Sequence, residues 1–390
     1  MALGGNYLTV RLQQHSSGTV NEVVAETTSV DATFTAEALD ATEQSDALTA
    51  NYIGGKCTMQ VSGDYLLASD GDQFTRLFAH ADAGEKISVT IYRSSTKVFD
   101  TEGVFTSLSK AGGLSDSLVT GAYSMELDVT SLSTTYGSTY TTVYNAMTNK
   151  PTTDIAAAQN TMVESLVDGG VWAKLDVFYL FAQYSNDDSE ALINWVNPGT
   201  NDASAVSSPS WTSLEGYTGD GVADYINTNF VPSTEGVNYA TNDASAFMYI
   251  RNNVAEDMFD MSVIGSGDNK LICRARGSAD QIFYGLNQTS GNTQTNADSR
   301  GLFYYERTAS NSTEGFRNNV SLGTDATASS GRPNLAVYVL AQNNNGSPGS
   351  YSTHQISIAG LGGSLTSGQR LTLMNAIETY MDSNSKGVIT

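Results

Sequence analysis

The feature that most constrains this chain is a two-residue alternation of apolar and polar side chains, in short runs broken by Gly, Asn, Ser and Asp. From Lys56 to Tyr65, the residues Cys57, Met59 and Val61 fall on one side and Thr58, Gln60 and Ser62 on the other. Ile87, Val89 and Ile91 alternate with Ser88, Thr90 and Tyr92, and Tyr123, Met125 and Leu127 with Ser124, Glu126 and Asp128. A period of two belongs to strands with one face buried, so the first 132 residues read as an antiparallel sheet closed into a small sandwich or barrel. One helix interrupts it. Asp70 or Asp72 caps a turn on which Phe74, Leu77 and Phe78 share a face. The stretch from Ala36 to Gly55 carries Glu37, Asp40, Glu43 and Asp46 with few apolar anchors, and reads as a long polar loop free to reach a neighbouring molecule.

Residues 129–150 are rich in Thr, Ser and Tyr and show no helical period. They read as a linker, set at 133–150, or as a last strand running into one. Pro151 then precedes an amphipathic helix with Asp154 as its cap, a stripe of Ile155, Met162, Val163, Leu166 and Val167, and Gly169-Gly170 as its end. From Trp172 to Phe181 the chain is too continuously apolar for a strand with a wet face. Short strands follow at Phe247–Ile250, Met261–Ile264, Leu271–Ala275, Gln281–Gly285, Gly301–Glu306 and Leu335–Leu340, which suits a jelly-roll-like sandwich over 151–390. A closing helix is announced by the capping pair Thr366 and Gln369 and buries Leu373, Met374, Ile377, Tyr380 and Met381. The expected fold class is therefore mainly β, with two domains and a helix at each end of the second.

A chain of 390 residues supplies two cores of this size. Its net charge of −22 is spread along its length: residues 1–150 hold 8 basic and 17 acidic groups, residues 151–390 hold 11 and 24. Such a surface does not neutralise phosphates, which excludes ordinary nucleic-acid binding. Its two readings are plain solubility and a surface that DNA passes without sticking. Cys57 and Cys273 match no metal or disulfide spacing and read as buried thiols. The first residues lack the basic and apolar regions of a secretory signal, and no window approaches 18 apolar residues, so no membrane partner is expected.

Chemistry-bearing patterns are sparse. His15, His80 and His354 do not pair at ligand spacing, and no cofactor or metal is expected. His80 reads as a packing residue of the first helix. His354, in Tyr-Ser-Thr-His-Gln, lacks the nucleophile elbow of a hydrolase and reads as a surface or strand histidine. The glycine pairs lack a phosphate-binding frame. Asp187-Asp188-Ser189-Glu190 and Glu256-Asp257 are the densest acidic clusters of the second domain, and neighbours on a strand point to opposite faces, so they read as solvated loop acids rather than a glycosidase pair. Trp172 and Trp195 read as core. Trp211, between Ser and Thr, is the candidate platform for a sugar.

Two stretches carry a resemblance. The order MALGGNYLTVRL, then VAETTSVDATFTAEALDATEQSDA, GGKCTMQVSGDYL, KISVTIY and SMELDV resembles the major tail tube proteins of long-tailed, non-contractile phages over about residues 1–130. The strings GGVWAKLDVFYLFAQ, INWVNPGT, GYTGDGVADYINTNF and SLTSGQRLTLMNAIETY are similar to a concanavalin- or laminin-G-like module at the ends of phage surface proteins. The resemblance implies a non-enzymatic virion protein, assembled in a host cytoplasm into stacked hexameric rings around a DNA conduit. The loop with Glu37, Asp40, Glu43 and Asp46 would make the contact between rings. The partners implied are further copies, other tail proteins, DNA that passes without specific binding, and host glycans met by an outward domain. The alternatives from other classes are a secreted lectin or adhesin and a glycan depolymerase.

Overall fold

The computed structural model describes residues 8–13, 23–40, 52–67, 81–84, 86–93, 96–109, 119–127 and 136–389. The chain divides into two compact units, Met1–Tyr136 and Gly137–Thr390. It is mainly β, as expected.

In the first unit six strands close into a barrel: β1 (Leu8–Gln13), β2 (Val23–Asp40), β3 (Tyr52–Leu67), β4 (Ile87–Arg93), β5 (Thr96–Leu108) and β6 (Val119–Leu127), in the order β1-β2-β3-β6-β5-β4. All six pairings are antiparallel. The alternation places Val61, Ile87, Val89, Tyr123, Met125 and Leu127 inside. Register brings Val61 and Phe105 to either side of Met125. Gly103 gives the barrel room to close, because a Cβ there would lie 2.6 Å from the Leu127 side chain.

The polar stretch from Ala36 to Gly55 is not one long loop. β2 and β3 run on through it as a paired ribbon, with Ala36 opposite Cys57, Ala38 opposite Gly54 and Asp40 opposite Tyr52. The period of two was present throughout, at Val30, Ala32, Phe34, Ala36 and Ala38, but alanine is too weakly apolar to mark a buried face. Glu37 sits at a register shift in β2 and Asp40 at its end. Glu43 and Asp46 lie outside the described residues, as does the expected helix from Asp70 to His80, although residues 81–83 are helical.

The second unit stacks two sheets, antiparallel but for the pairing of Met261–Ile264 with Gln342–Asn344. One runs through the strands Val320–Asp325, Ser312–Arg317, Gly301–Ala309, Ala244–Ile250, Gln355–Gly362, Gly216–Thr218 and Ser210–Thr212, with Leu175–Leu180 added on Gln355–Gly362. The other runs through Asn292–Thr295, Gln281–Gln288, Lys270–Arg274, Met261–Ile264, Tyr338–Val339, Tyr225–Asn227 and Ser204–Val206. Their facing sides make one core, in which Val177, Tyr179, Met248, Leu271, Cys273, Tyr284, Phe303 and Ile356 are buried. Trp172–Phe181 is a strand over Leu175–Leu180, and Phe178 and Leu180 on its second face are buried too.

That second face lies under helices. They are α1 (Ser138–Ala146), α2 (Thr153–Asp168) and α3 (Ser367–Ser383). α2 and α3 lie where expected, but Thr152 rather than Asp154 is the cap residue of α2, Ile155 and Met374 are only half-buried, and Val167 is 36% exposed. The Thr366–Gln369 capping box is formed. α1 corrects the linker reading of 133–150. Its Thr- and Tyr-rich sequence has little helical propensity of its own, and tertiary bonds hold it. Buried Tyr140 donates to Gln159 Oε1 at 2.6 Å, Gly137 N to Asn160 Oδ1 at 2.8 Å, and Asn149 N to Glu190 Oε1 at 2.8 Å.

All three tryptophans lie in 137–390, so their fluorescence follows the sandwich alone. Replacing the fully buried barrel residue Met125 by Ala will cost the barrel about 2–4 kcal/mol. The urea midpoint read by tyrosine emission and far-ultraviolet circular dichroism falls, while the tryptophan midpoint stays in place.

Candidate functional site

Three loops of the sandwich converge at one place: 219–224, 251–259 and 350–354. The first is shaped by Asp220, whose Oδ1 accepts the N–H groups of Val222, Ala223 and Asp224 at 2.8–2.9 Å. These bonds hold the Asp220 carboxyl below the usual carboxylate range. Gly219 lets this loop lie on the third, since a Cβ there would stand 2.2 Å from the carbonyl oxygen of Ser352. Asn252 ties the second loop to the third by donating to Thr353 O and accepting from Gln355 N. Exposed Val222 and Met258 and half-buried Tyr225, Tyr351 and Phe259 make up the surface. Tyr225 stacks on Tyr338 at 4.5 Å between ring centres and meets Tyr351 at 6.4 Å.

Beneath these loops lies a buried polar network that the sequence did not announce. His354, expected at a surface or on a strand, is fully buried along with Asp260 and Ser352. Its Nδ1 lies 2.6 Å from Asp260 Oδ1 and 3.7 Å from Glu256 Oε1, and its Nε2 lies 3.1 Å from the carbonyl oxygen of Val254. With an acceptor at each nitrogen, the ring by itself is an imidazolium. Burial alone would lower its pKa, but the Asp260 carboxylate, with help from Glu256 and the Val254 carbonyl, outweighs that and raises it to about 9. Glu256 accepts from Thr353 N at 2.8 Å and Thr353 Oγ1 at 2.7 Å, and Asp260 Oδ2 from Ala275 N at 2.7 Å.

The trio of Ser352, His354 and Asp260 is not a hydrolytic triad. A nucleophilic serine has to give its proton to the imidazole nitrogen that the acid does not hold. Here that nitrogen faces the Val254 carbonyl, and Ser352 Oγ turns to the two carboxylates, 2.6 Å from Glu256 Oε1 and 2.8 Å from Asp260 Oδ1. No surface of the hydroxyl reaches solvent.

The other candidates fall elsewhere. Glu190 is not a solvated acid but buried. Burial raises its carboxyl, yet the N–H groups of Asn149 and Asp188 and the Asn149 amide prevail and hold its pKa below the usual value. Asp188 accepts from Asn149 Nδ2 at 3.0 Å, so this acidic run fastens the segment after α1. Asp257 pairs with Arg274 at 3.0 Å. Trp195 is core, and Trp172 is half-buried against Phe178. Trp211 is not the free platform its Ser and Thr neighbours suggested: it packs on the core and donates its indole N–H to Phe181 O at 2.9 Å. His15 and His80 lie outside the described residues. No helix among the described residues is long and apolar enough to cross a membrane.

No family model and no curated protein matches this chain. Among solved structures, a chain from the tail of an empty gene transfer agent particle with C6 symmetry is similar over 34% of this chain and 99% of its own, at 23% identity and a TM-score of 0.28. Domain 4 of a GH43 extracellular arabinanase from Geobacillus stearothermophilus, in complex with arabinotriose, is similar over 52% of this chain and 98% of its own, at 10% identity and a TM-score of 0.31. Trypanosoma rangeli sialidase with sialic acid covers 92% of this chain, which spans 54% of the sialidase, at 10% identity and a TM-score of 0.38. At these scores none of them bears on function.

Replacing Asp260 by Asn will leave the buried imidazole without its carboxylate partner. The expected loss is about 3–5 kcal/mol of sandwich stability, seen as a lower tryptophan-detected unfolding midpoint.

Proposed function

We propose that this chain is a structural subunit of a tailed-phage virion, a tail tube protein whose copies assemble through the barrel unit into stacked hexameric rings around a DNA conduit. The observation that carries the reading is the β2–β3 ribbon. Among the described residues, β3 pairs with β6 from Met59 to Leu67, and β2 with β1 at Val23 and Glu26. Among the described residues, the ribbon from Ala36 to Asp40 and from Tyr52 to Cys57 has no third strand. An isolated two-stranded ribbon is marginal in water and its open edges are templates for pairing. A second copy of the same chain supplies the missing strand, and repetition around a ring closes the pairing without leaving an edge.

The charge fits the conduit. At −22, with Glu37 and Asp40 on the ribbon strand itself, the subunit repels a phosphate backbone and lets DNA slide. No catalysis is required of it, and the buried acids Glu190, Asp260 and Glu306 are each engaged by donors within the fold. In this reading each copy carries the sandwich as a decorating domain. Its loop end, with Tyr225, Tyr351 and Val222, offers a saccharide apolar faces beside the carboxylates of Asp220 and Asp257.

Electron microscopy of the purified chain will show rings or tubes with sixfold symmetry. Replacing residues 36–57 by an Asn-Gly turn, which joins the paired Thr35 and Thr58 directly, will leave a folded monomer in sedimentation. A wild-type chain that stays monomeric at tens of micromolar, or a shortened chain that still polymerises, would overturn the proposal.

A further inference from the structure

The network under the sandwich loops holds more negative charge than its own groups neutralise. Two carboxylates and one imidazolium leave a net charge of −1 where Asp260, Ser352 and His354 are fully buried and the Glu256 side chain is 13% exposed. The hydroxyl of Ser352 stands within hydrogen-bond distance of both Glu256 Oε1 and Asp260 Oδ1, but it has a single proton to give. One oxygen pair in this centre therefore faces without a hydrogen between its members, which is costly in a low-dielectric site.

The histidine is oriented from outside the cluster. Its Nε2–H points at the Val254 carbonyl at 3.1 Å, which directs Nδ1 toward Asp260 and Glu256. Fixing one ring nitrogen on a backbone carbonyl, so that the other presents its lone pair, is how proteins prepare a metal-binding imidazole. The donor atoms of Glu256, Asp260 and His354 lie within 4.8 Å of one another. Both carboxylates are held in place by their remaining bonds, Asp260 Oδ2 by Ala275 N and Glu256 Oε2 by Thr353 Oγ1.

We propose that Glu256, Asp260 and His354 bind a divalent transition-metal ion of the Zn²⁺ class, with Ser352 Oγ as the fourth donor. Binding forms bonds to Nδ1 and to one oxygen of each carboxylate, and the proton on Nδ1 leaves to solvent. Two carboxylates, a neutral imidazole and a divalent ion sum to zero, and the hydroxyl turns a lone pair to the ion. The mixed nitrogen and oxygen donor set suits Zn²⁺ better than Ca²⁺, which takes oxygen alone. Three contacts have to open to about 3.3 Å, the edge of a tetrahedron with bonds of about 2.0–2.1 Å: Nδ1 to Asp260 Oδ1 from 2.6 Å, and Ser352 Oγ to Glu256 Oε1 and Asp260 Oδ1 from 2.6 and 2.8 Å. Asp220 at the surface and the buried Asp224 add a negative field that favours a cation. The ion joins the second and third loops directly, and through Gly219 packed on Ser352 it steadies the first.

The experiment uses the full chain without a histidine tag, stripped with chelator and titrated with Zn²⁺, and with Co²⁺ as a coloured probe. Expected are one equivalent bound, a visible Co²⁺ band of tetrahedral type, and a tryptophan-detected Tm raised by about 5–10 °C at a hundredfold excess over Kd. His354→Gln and Glu256→Gln are each expected to weaken binding tenfold or more. If His354→Gln does not fold, Glu256→Gln, at the more exposed edge of the cluster, carries the comparison. A folded wild-type chain with no saturable uptake, or uptake unchanged in the folded variants, would overturn the site.

Discussion

The backbone of Gln355–Gly362 has to satisfy strands on both sides at once, and the sandwich is built around that demand. One edge pairs along Ala244–Ile250, and the other is shared between Gly216–Thr218 at its start and Leu175–Leu180 along the rest. Every residue from Ile356 to Gly362 is buried. A strand covered on both faces and paired on both edges leaves no room for a misfit: a Cβ at Gly360 would lie 2.3 Å from the Phe247 ring, and one at Gly362 would lie 2.2 Å from the carbonyl oxygen of Lys174. The position of this strand determines where His354, immediately before it, enters the interior.

Around that strand, many polar groups inside the fold are matched rather than avoided, although Glu306 Oε2, Arg370 Nε and Trp195 Nε1 are buried without a partner. Fully buried Arg307 donates to the carbonyl oxygens of Leu286, Ala309, Ser310 and Thr327 and to the side chain of Gln288, which nails an otherwise irregular segment to the sheet. Glu306 takes Arg370 of α3 at 2.9 Å, while the same guanidinium covers the Phe316 ring at 4.1 Å. Glu190 does the equivalent for the segment after α1. In the His354 centre one hydroxyl proton, that of Ser352, stands between two carboxylates. A cation in the proposed site relieves that shortage.

The barrel follows a different logic. Its interior is ordinary, with Val61, Met125 and Tyr123 filling a small closed sheet. Among the described residues its seam between β1 and β2 is two residue pairs, and β2 and β3 continue past the strands that cover them. A monomer gains little from such a ribbon, since backbone donors on an open edge are satisfied only by water. In the proposed ring it makes the contact between copies, and the acidic composition would repel passing DNA.

The period-two runs at Val61, Ile87 and Met125 and the capping box at Thr366 were readable from the residues alone, because strand alternation and helix capping are local. The fold class followed from them, as did the strands at Phe247–Ile250, Met261–Ile264, Leu271–Ala275, Gln281–Gly285 and Gly301–Glu306, but Leu335–Leu340 is a strand only at Tyr338–Val339 and the central Gln355–Gly362 was not read. The ribbon through Ala36–Asp40 was written in the same alternation but in alanine, which does not reveal what it faces. α1 could not be read, since its helix exists through Tyr140, Asn149 and their partners on α2 and near Glu190. Least legible was the centre at His354: its acids stand 94 and 98 residues away in the chain, and Glu256 read as a solvated loop acid. Sequence determined what is local, namely periodicity, caps and charge. Only the tertiary structure decided which distant carboxylates share a dry interior with one imidazole, because burial and the count of available protons are properties of packed neighbours.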